Sequence, residues 1–510
     1  MPILLLLSCF MIRFLLLREG LGHPDAYREA LSGMDYATKG AVGGYGWNDP
    51  LNIYLAAYAY HLSGVMPIRH DALCNLLSVI IASLGVLAFY FFVKTFLNLR
   101  TAVFVAAALI LSPFHIEHSV YFNHGNTELA FFLLTVFVLQ CALKSYTTRK
   151  KTVSMCLCIV CGIVTGLFIS SRSISGLLIL PLLTYLFIVY GHQIKFKDLL
   201  IGVGIIGLFC SVTCLFIFPP QIVGVLLGRG ERVLKGYQFL RNFQSAIALV
   251  FVQAISKPLL ILYLVSLLYV AFRRRFGIII ISFCVVVPYC FFYAGLPGAP
   301  SRYFLCTLPF VLLPVCYAGD SILLHLRSDP PQSLDAQSTQ HRTLSRLRIG
   351  DGINVGAIAL LLLVVALSPW FDRAYHGHFN TLRYLTENDS YRIVSERIGR
   401  DVGENMMLVH TDKPMIQYYN YENPPEFQYI IESRDGEFLY VPLDIITKAI
   451  RRIDAGQPIY MSTYAMKMLR HTNLNFAFHM TKLWEMAGYT LFRINSIQQT
   501  RNGPQFHFDT

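Results

Sequence analysis

Long apolar runs separated by short polar breaks fill the first three quarters of the chain. A helix needs about 20 apolar residues to cross the hydrocarbon core of a bilayer. By the hydropathy criterion about eleven segments qualify. They lie near 3–17, 71–95, 101–116, 127–144, 153–171, 174–190, 199–218, 250–271, 276–294, 303–324 and 353–371. The last quarter changes character. Strand-like runs at 406–411, 437–443, 457–463 and 489–494 alternate with helical stretches at 390–401, 445–456 and 462–471. That alternation predicts a small α/β fold with a mainly parallel sheet. The chain therefore reads as a polytopic α-helical membrane part, residues 1–371, followed by a soluble α/β domain, residues 372–510.

Composition agrees with the pattern. Hydrophobic residues make up 55% of the chain and charged residues 14%, outside the range of ordinary soluble domains. The first apolar segment is short and contains Arg13. No small-residue cleavage site follows it, so it reads as a retained helix rather than a signal peptide.

The net charge of +12 would suit a nucleic-acid binder, but its distribution excludes that reading. The stretch after residue 371 is roughly balanced in charge. The basic excess falls in connectors: Lys94 and Arg100; Lys144, Arg149, Lys150 and Lys151; Lys195 and Lys197; Arg273, Arg274 and Arg275; Arg327, Arg342, Arg346 and Arg348. With the spans above, all of these lie on one side of the membrane, which the positive-inside rule makes cytoplasmic. Residues 18–70, 117–126, 219–249, 295–302 and 372–510 then lie outside. Arg229, Arg232, Lys235 and Arg241 break the rule in one outer loop. Residues 326–352 read as a flexible cytoplasmic linker.

The twelve cysteines all precede residue 317, mostly inside apolar segments, where they act as small packing residues. The outer domain has none and is not a disulfide-stapled fold.

The outer loops carry the candidate chemistry. Residues 22–54 contain Asp25, Glu29, Asp35 and Asp49 among many glycines and aromatics. Asp25 and Glu29 are four apart and share a face if this piece is helical. Residues 50–64 have helical apolar spacing but are too short to span, which predicts an interfacial helix. The next outer loop brings His115, Glu117, His118, His124 and Glu128 to the same side. Carboxylates at or in a membrane are costly, so Glu128 and Glu117 are functional candidates by default. A helix start capped by Asn126 or Thr127 is the structural alternative for Glu128. The carboxylates and histidines of these loops could hold a divalent metal, and His115 and His118 have a usable helical spacing. Arg302 opens a span after a Gly- and Pro-rich turn, where a guanidinium could clamp a phosphate. Arg172 and Arg241 are similar candidates.

This ordering resembles the GT-C glycosyltransferases that use polyprenyl-phosphate sugars, above all the aminoarabinose and mannosyl transferases related to protein O-mannosyltransferases. The likeness rests on Asp25 and Tyr27 shortly after the first span, on Asp49, Pro50 and Leu51 leading to Gly64, and on Glu128 at the head of the fourth span. Arg172 within 165–183, and Arg302 and Tyr303 followed by Pro309, complete it. Ala26 stands where the family often has a second acid, and Pro300 and Ser301 stand where a Lys commonly precedes Arg-Tyr.

The resemblance implies a multi-pass protein of a bacterial inner membrane, with the C-terminal domain outside the cytoplasm. It implies a lipid-linked sugar donor and an outer acceptor glycolipid, glycan or protein. Asp25 would be the general base and Glu128 would position substrate. Arg302 would steady the leaving phosphate, with Arg241 or Lys235, and Tyr303, Tyr27, Glu29, Glu117 and Arg172 would line the site. The competing reading is a transporter or flippase of lipid-linked sugars, which predicts ionisable residues near mid-span and paired halves.

Overall fold

The computed structural model describes residues 1–17, 20–22, 24–42, 49–148, 150–172, 184–185, 188–190, 193–218, 256–294, 301–327, 368 and, with short gaps, 390–509. The membrane part contains α1 (Pro2–Leu15), α2 (Pro24–Lys39), α3 (Pro50–Ser63), α4 (His70–Phe96), α5 (Leu99–Leu111), α6 (Pro113–Ser119) and α7 (His124–Thr147). It continues with α8 (Lys151–Ser171), α9 (Phe196–Ile217), α10 (Lys257–Phe272), α11 (Phe276–Ala294), a 3₁₀ helix (Ser301–Thr307) and α12 (Leu308–Arg327). Among the described residues five helices are long and apolar enough to cross a membrane, or six if the bent pair α5–α6 is one span. Three shorter apolar helices, two of them α1 and α10, fall on predicted segments as well. Most of the segment expected at 353–371, the basic loop at 219–249 and most of the linker expected at 326–352 lie outside the described residues, as does most of the segment at 174–190.

One predicted span is broken. The run at 101–116 bends by 60° between α5 and α6. Pro113 supplies no backbone donor and pushes Ser112 out of the helical region, so α5 stops there. Small residues let the long helices approach closely, as membrane packing requires. A Cβ on Gly85 would meet the Ala130 Cα at 2.8 Å, and one on Gly162 would meet the Ile206 carbonyl at 2.7 Å. Phe89, Phe92, Phe132, Phe168, Tyr289 and Phe310 fill the core between the helices.

The C-terminal part is a small sheet domain. Its six-stranded sheet runs β2 (Glu426–Tyr429), β1 (Met406–Val409), β5 (Ile459–Ser462), β7 (Tyr489–Gln499), β6 (Phe476–Met486), β8 (Gln505–Asp509). β1 pairs in parallel with β2 and β5, and β6 with β8, but β7 is antiparallel to both of its neighbours. The sheet is mixed rather than mainly parallel. The run expected as a strand at 437–443 forms β4 (Phe438–Tyr440) of a separate hairpin with β3 (Glu432–Arg434). Four helices accompany the sheet: α13 (Ser390–Val402), α14 (Lys413–Tyr419), α15 (Leu443–Asp454) and α16 (Thr463–Leu469). The sequence pattern anticipates α13, α15 and α16. It misses α14, which is the helix that meets the candidate site.

Candidate functional site

α2 starts where Pro24 stands in its first turn, followed by Asp25 on the side of the helix end that favours negative charge. Ala26, Tyr27, Ala30, Leu31 and Met34 recur at helical spacing and are buried. Gly33 lets α2 lie directly on α3: a Cβ there would sit 2.6 Å from the Ala56 Cβ and 2.8 Å from the Ala57 nitrogen. The expected helix at 50–64 therefore exists as α3, and it is the platform that carries α2.

This packing sorts the carboxylates. Asp25 is partly exposed, and the Arg28 Nη1 reaches its Oδ1 at 3.2 Å. Glu29, one turn further on, is buried and faces the start of α7. His124 Nδ1 lies 2.8 Å from its Oε1 and 3.6 Å from the Asp49 Oδ2. A carboxylate oxygen accepts, so Nδ1 donates to Glu29. Asp35 lies away from this group, bonded to Lys39 and to the Tyr421 hydroxyl, both at 2.7 Å.

The start of α7 is set one turn earlier than the sequence suggests. The Asn123 side chain accepts from the Asn126 backbone nitrogen, so Asn123 rather than Asn126 or Thr127 is the cap. The Asn126 amide instead donates to the carbonyl and hydroxyl of Ser78, both at 2.8 Å. Glu128 consequently lies a full turn inside the helix, on the same face as His124. It is 1% exposed, accepting from Arg172 Nη1 at 3.3 Å and from the Tyr289 hydroxyl at 3.1 Å. Tyr289 carries no sequence signal; it is one tyrosine inside an apolar run. A polar line thus runs inward from Asp25 through Glu29 and His124 to Glu128, Arg172 and Tyr289.

Other candidates fall elsewhere. Glu117 is partly buried on α6. His115 does not join the carboxylates; Arg13 Nη2 donates to its Nδ1 at 2.7 Å, and Arg13 Nε donates to the Ser119 hydroxyl at 2.8 Å. That buried clamp ties α1 to the bent α6. The His118 ring packs edge-on to Phe114. Tyr27 is buried, its hydroxyl accepts from the Leu21 backbone nitrogen at 3.2 Å, and its ring meets the C-terminal domain. Arg302 and Tyr303 lie in the 3₁₀ helix, but their side chains are outside the described residues, as is Arg241.

Glu29, Asp49 and His124 bring one ligand atom each within 4.8 Å of one another. Two carboxylates and an imidazole suit a divalent cation. The arrangement is compatible with a metal through His124, not through the His115 and His118 pair.

α14 of the C-terminal domain covers α2. Tyr27 stacks edge-on against Tyr418 and Tyr419, with ring centroids 5.5 and 6.0 Å apart. The Tyr418 hydroxyl lies 2.9 Å from His70 Nδ1, and the Tyr419 hydroxyl donates to Asp71 at 3.2 Å. Burial and the nearby Arg28 charge hold the Lys413 amine below the ordinary lysine range.

Residues 50–222 match the family described as dolichyl-phosphate-mannose-protein mannosyltransferase. No curated protein matches the chain. Among solved structures, ArnT from Cupriavidus metallidurans bound to undecaprenyl phosphate is similar, with a TM-score of 0.56 at 12% identity, covering 96% of this chain and 97% of that one. The same protein in the apo state gives a TM-score of 0.51 at 14% identity, with the same coverage. Over nearly its whole length the chain thus has a fold similar to these two structures, and its residues 50–222 match that mannosyltransferase family.

Proposed function

We propose that the protein is an inverting glycosyltransferase that moves a sugar from a polyprenyl-phosphate donor to an acceptor hydroxyl outside the cytoplasm. The observation that carries this reading is the polar line from half-exposed Asp25 to buried Glu128, on a fold shared with a protein captured with undecaprenyl phosphate. In this reading the membrane part to residue 371 holds the site, and residues 372–510 form an outer domain on top of it.

Asp25 takes the proton from the acceptor hydroxyl as its oxygen attacks the anomeric carbon. The bond from that carbon to the phosphate oxygen breaks, polyprenyl phosphate leaves, and one displacement inverts the centre. Arg302 steadies the phosphate as charge develops on it, with Arg241 as a second basic residue from the outer loop. Glu128, fixed by Arg172 and Tyr289, shapes the inner wall. Glu29, Asp49 and His124 would hold a divalent cation, whose charge would offset that of the donor phosphate. Likeness to a transferase fold favours transfer over translocation of the lipid-linked sugar.

The test is Asp25→Asn in purified protein supplied with lipid-linked sugar. Transfer should fall by about 10²-fold or more, the scale of a lost general base, while the melting temperature stays near that of the parent. Retained transfer removes Asp25 from the role of base. Retention of configuration in the product, read by NMR of the anomeric proton, overturns the single displacement.

A further inference from the structure

Asn52 is a buried amide that the fold itself does not use. It stands at the third position of α3, after Asp49, Pro50 and Leu51. It is 0% exposed, and neither its Oδ1 nor its Nδ2 has a hydrogen-bond partner among the described residues. Buried Asn75 shows the ordinary solution: it donates to the Gly20 carbonyl at 2.7 Å and accepts from the Phe122 nitrogen at 2.8 Å. Leaving both ends of an amide unmatched is expensive, and an apolar residue of similar size would avoid the cost. A polar side chain at the third position can fold back to cap its own helix. Asn52 makes no such bond, so a local capping role is excluded.

The surroundings of Asn52 narrow what could match it. Asn52, Ala56 and Ala59 recur at i, i+4 and i+7, each 0% exposed, and form the innermost stripe of α3. Asp49 lies one turn before Asn52 and accepts its backbone N–H at 3.0 Å. Side chains so spaced are neighbours, with Cβ atoms about 5–6 Å apart. The Asp49 carboxylate makes no cap bond to α3 and instead approaches His124, at 3.6 Å, where His124 also meets Glu29. The unmatched amide therefore adjoins the group of Glu29, Asp49 and His124. Two carboxylates disfavour an anionic ligand at this amide. A divalent cation would use Oδ1 and strand Nδ2, which only donates. A hydroxyl both donates and accepts, so two neighbouring hydroxyls on one ring satisfy the whole amide.

We propose that Asn52 binds the sugar of the lipid-linked donor through two neighbouring hydroxyls, Nδ2 donating to one and Oδ1 accepting from the other. Asp25 stands at the exposed end of the polar line, where an acceptor arrives. Asn52 stands on the covered side, where a sugar ring is held away from water. It is a substrate-binding residue that selects a polyol, and it takes no part in proton transfer. The assignment rests on the reading of the protein as a transferase of lipid-linked sugar.

The experiment uses the full chain in detergent, without acceptor, and reads bound lipid by native mass spectrometry. Undecaprenyl phosphate competes with the same lipid carrying mannose or arabinose. The parent should retain at least one sugar-bearing lipid over the bare one. Asn52→Leu should lower that preference about tenfold, the scale of one or two hydrogen bonds. Retention of the bare lipid should not change, and the melting temperature should stay at the parent's level or rise, because an unmatched amide has been removed. Asn52→Ala should lose the same preference, which separates the missing amide from a poor fit of leucine.

A preference that survives in both variants overturns the role of Asn52 and leaves the transferase reading standing. A parent that prefers neither sugar-bearing lipid overturns the donor reading and the assignment with it. Equal losses of bare and sugar-bearing lipid in both variants overturn the assignment in favour of a role in the fold. Weaker Mn²⁺ binding in Asn52→Leu, with the sugar preference intact, overturns it in favour of a cation ligand.

Discussion

At the scale of single residues, the site depends on charges that are hidden and therefore must be matched. Glu128 and Arg172 form a buried pair, with side chains 1% and 9% exposed. Such a pair adds little by existing, but removing one partner strands the other at a cost of about 3–5 kcal/mol. Arg172→Leu should therefore lower the melting temperature in detergent, and the double variant with Glu128→Gln should recover most of the loss. Failure of the double variant to recover would show that Arg172 acts mainly through packing. Glu128 was readable in the sequence because a carboxylate beside an apolar run stands out. Its partners were less so: Arg172 is 44 positions away, and Tyr289 is 161 away. Asp49 and His124 illustrate the same limit. Nothing in their spacing says that they meet, because a fold and not a helical period brings them together.

At the scale of elements, close approach and local ion pairs decide which helices carry the site. Gly33 allows α2 to rest on α3, and any side chain there must push against α3 backbone. Gly33→Leu should destabilise the protein by about 1–3 kcal/mol, as overpacking does, and reduce protection of α2 amides from hydrogen exchange. Unchanged exchange would mean that the two helices can separate freely. In the C-terminal domain, Glu426 at the start of β2 pairs with Lys448 and Arg452 of α15, at 2.8 and 2.6 Å. These partners, Lys448 first, hold its carboxyl below the usual carboxylate range. A depressed carboxyl contributes above its unfolded pKa and loses that contribution as pH falls through the folded one. Glu426→Gln should thus cost stability at neutral pH and nothing once the carboxyl is protonated in both states. The pair is largely solvated, so the difference should be about 0.2–1 kcal/mol. A pH-independent difference in chemical denaturation would contradict the ion pair. The helices of this domain were legible because their apolar spacing is regular. The sheet was less so: β6 and β8 carry polar residues on exposed positions, and strand direction depends on partners far along the chain.

At the scale of the whole molecule, the C-terminal domain and the helical part share one apolar cluster. Leu21, Tyr27, Leu31 and Leu73 pack with Ile398, Ile416, Tyr418 and Trp484. Three tyrosines of the C-terminal domain also bond to polar groups of the helical part: Tyr418 to His70, Tyr419 to Asp71 and Tyr421 to Asp35. His70 Nε2 faces the Ala56 carbonyl at 2.9 Å and so donates, which leaves Nδ1 to accept from Tyr418. Replacing Tyr418 and Tyr421 together by Phe should remove about 0.5–1.5 kcal/mol per hydroxyl. Hydrogen exchange should then rise in α2 and α14 together; a rise confined to one of them would mean that the two parts are not coupled through these contacts.

The sequence by itself determined the multi-pass membrane class, several of the apolar helices and the C-terminal sheet domain. These follow from hydropathy, charge placement and helical period, which are local properties of the chain. Only the tertiary structure decided that α14 covers α2, and that His124 joins Glu29 and Asp49 while His115 is held by Arg13. Those relations depend on burial and on distances between residues far apart in the chain, where a one-dimensional pattern carries no register.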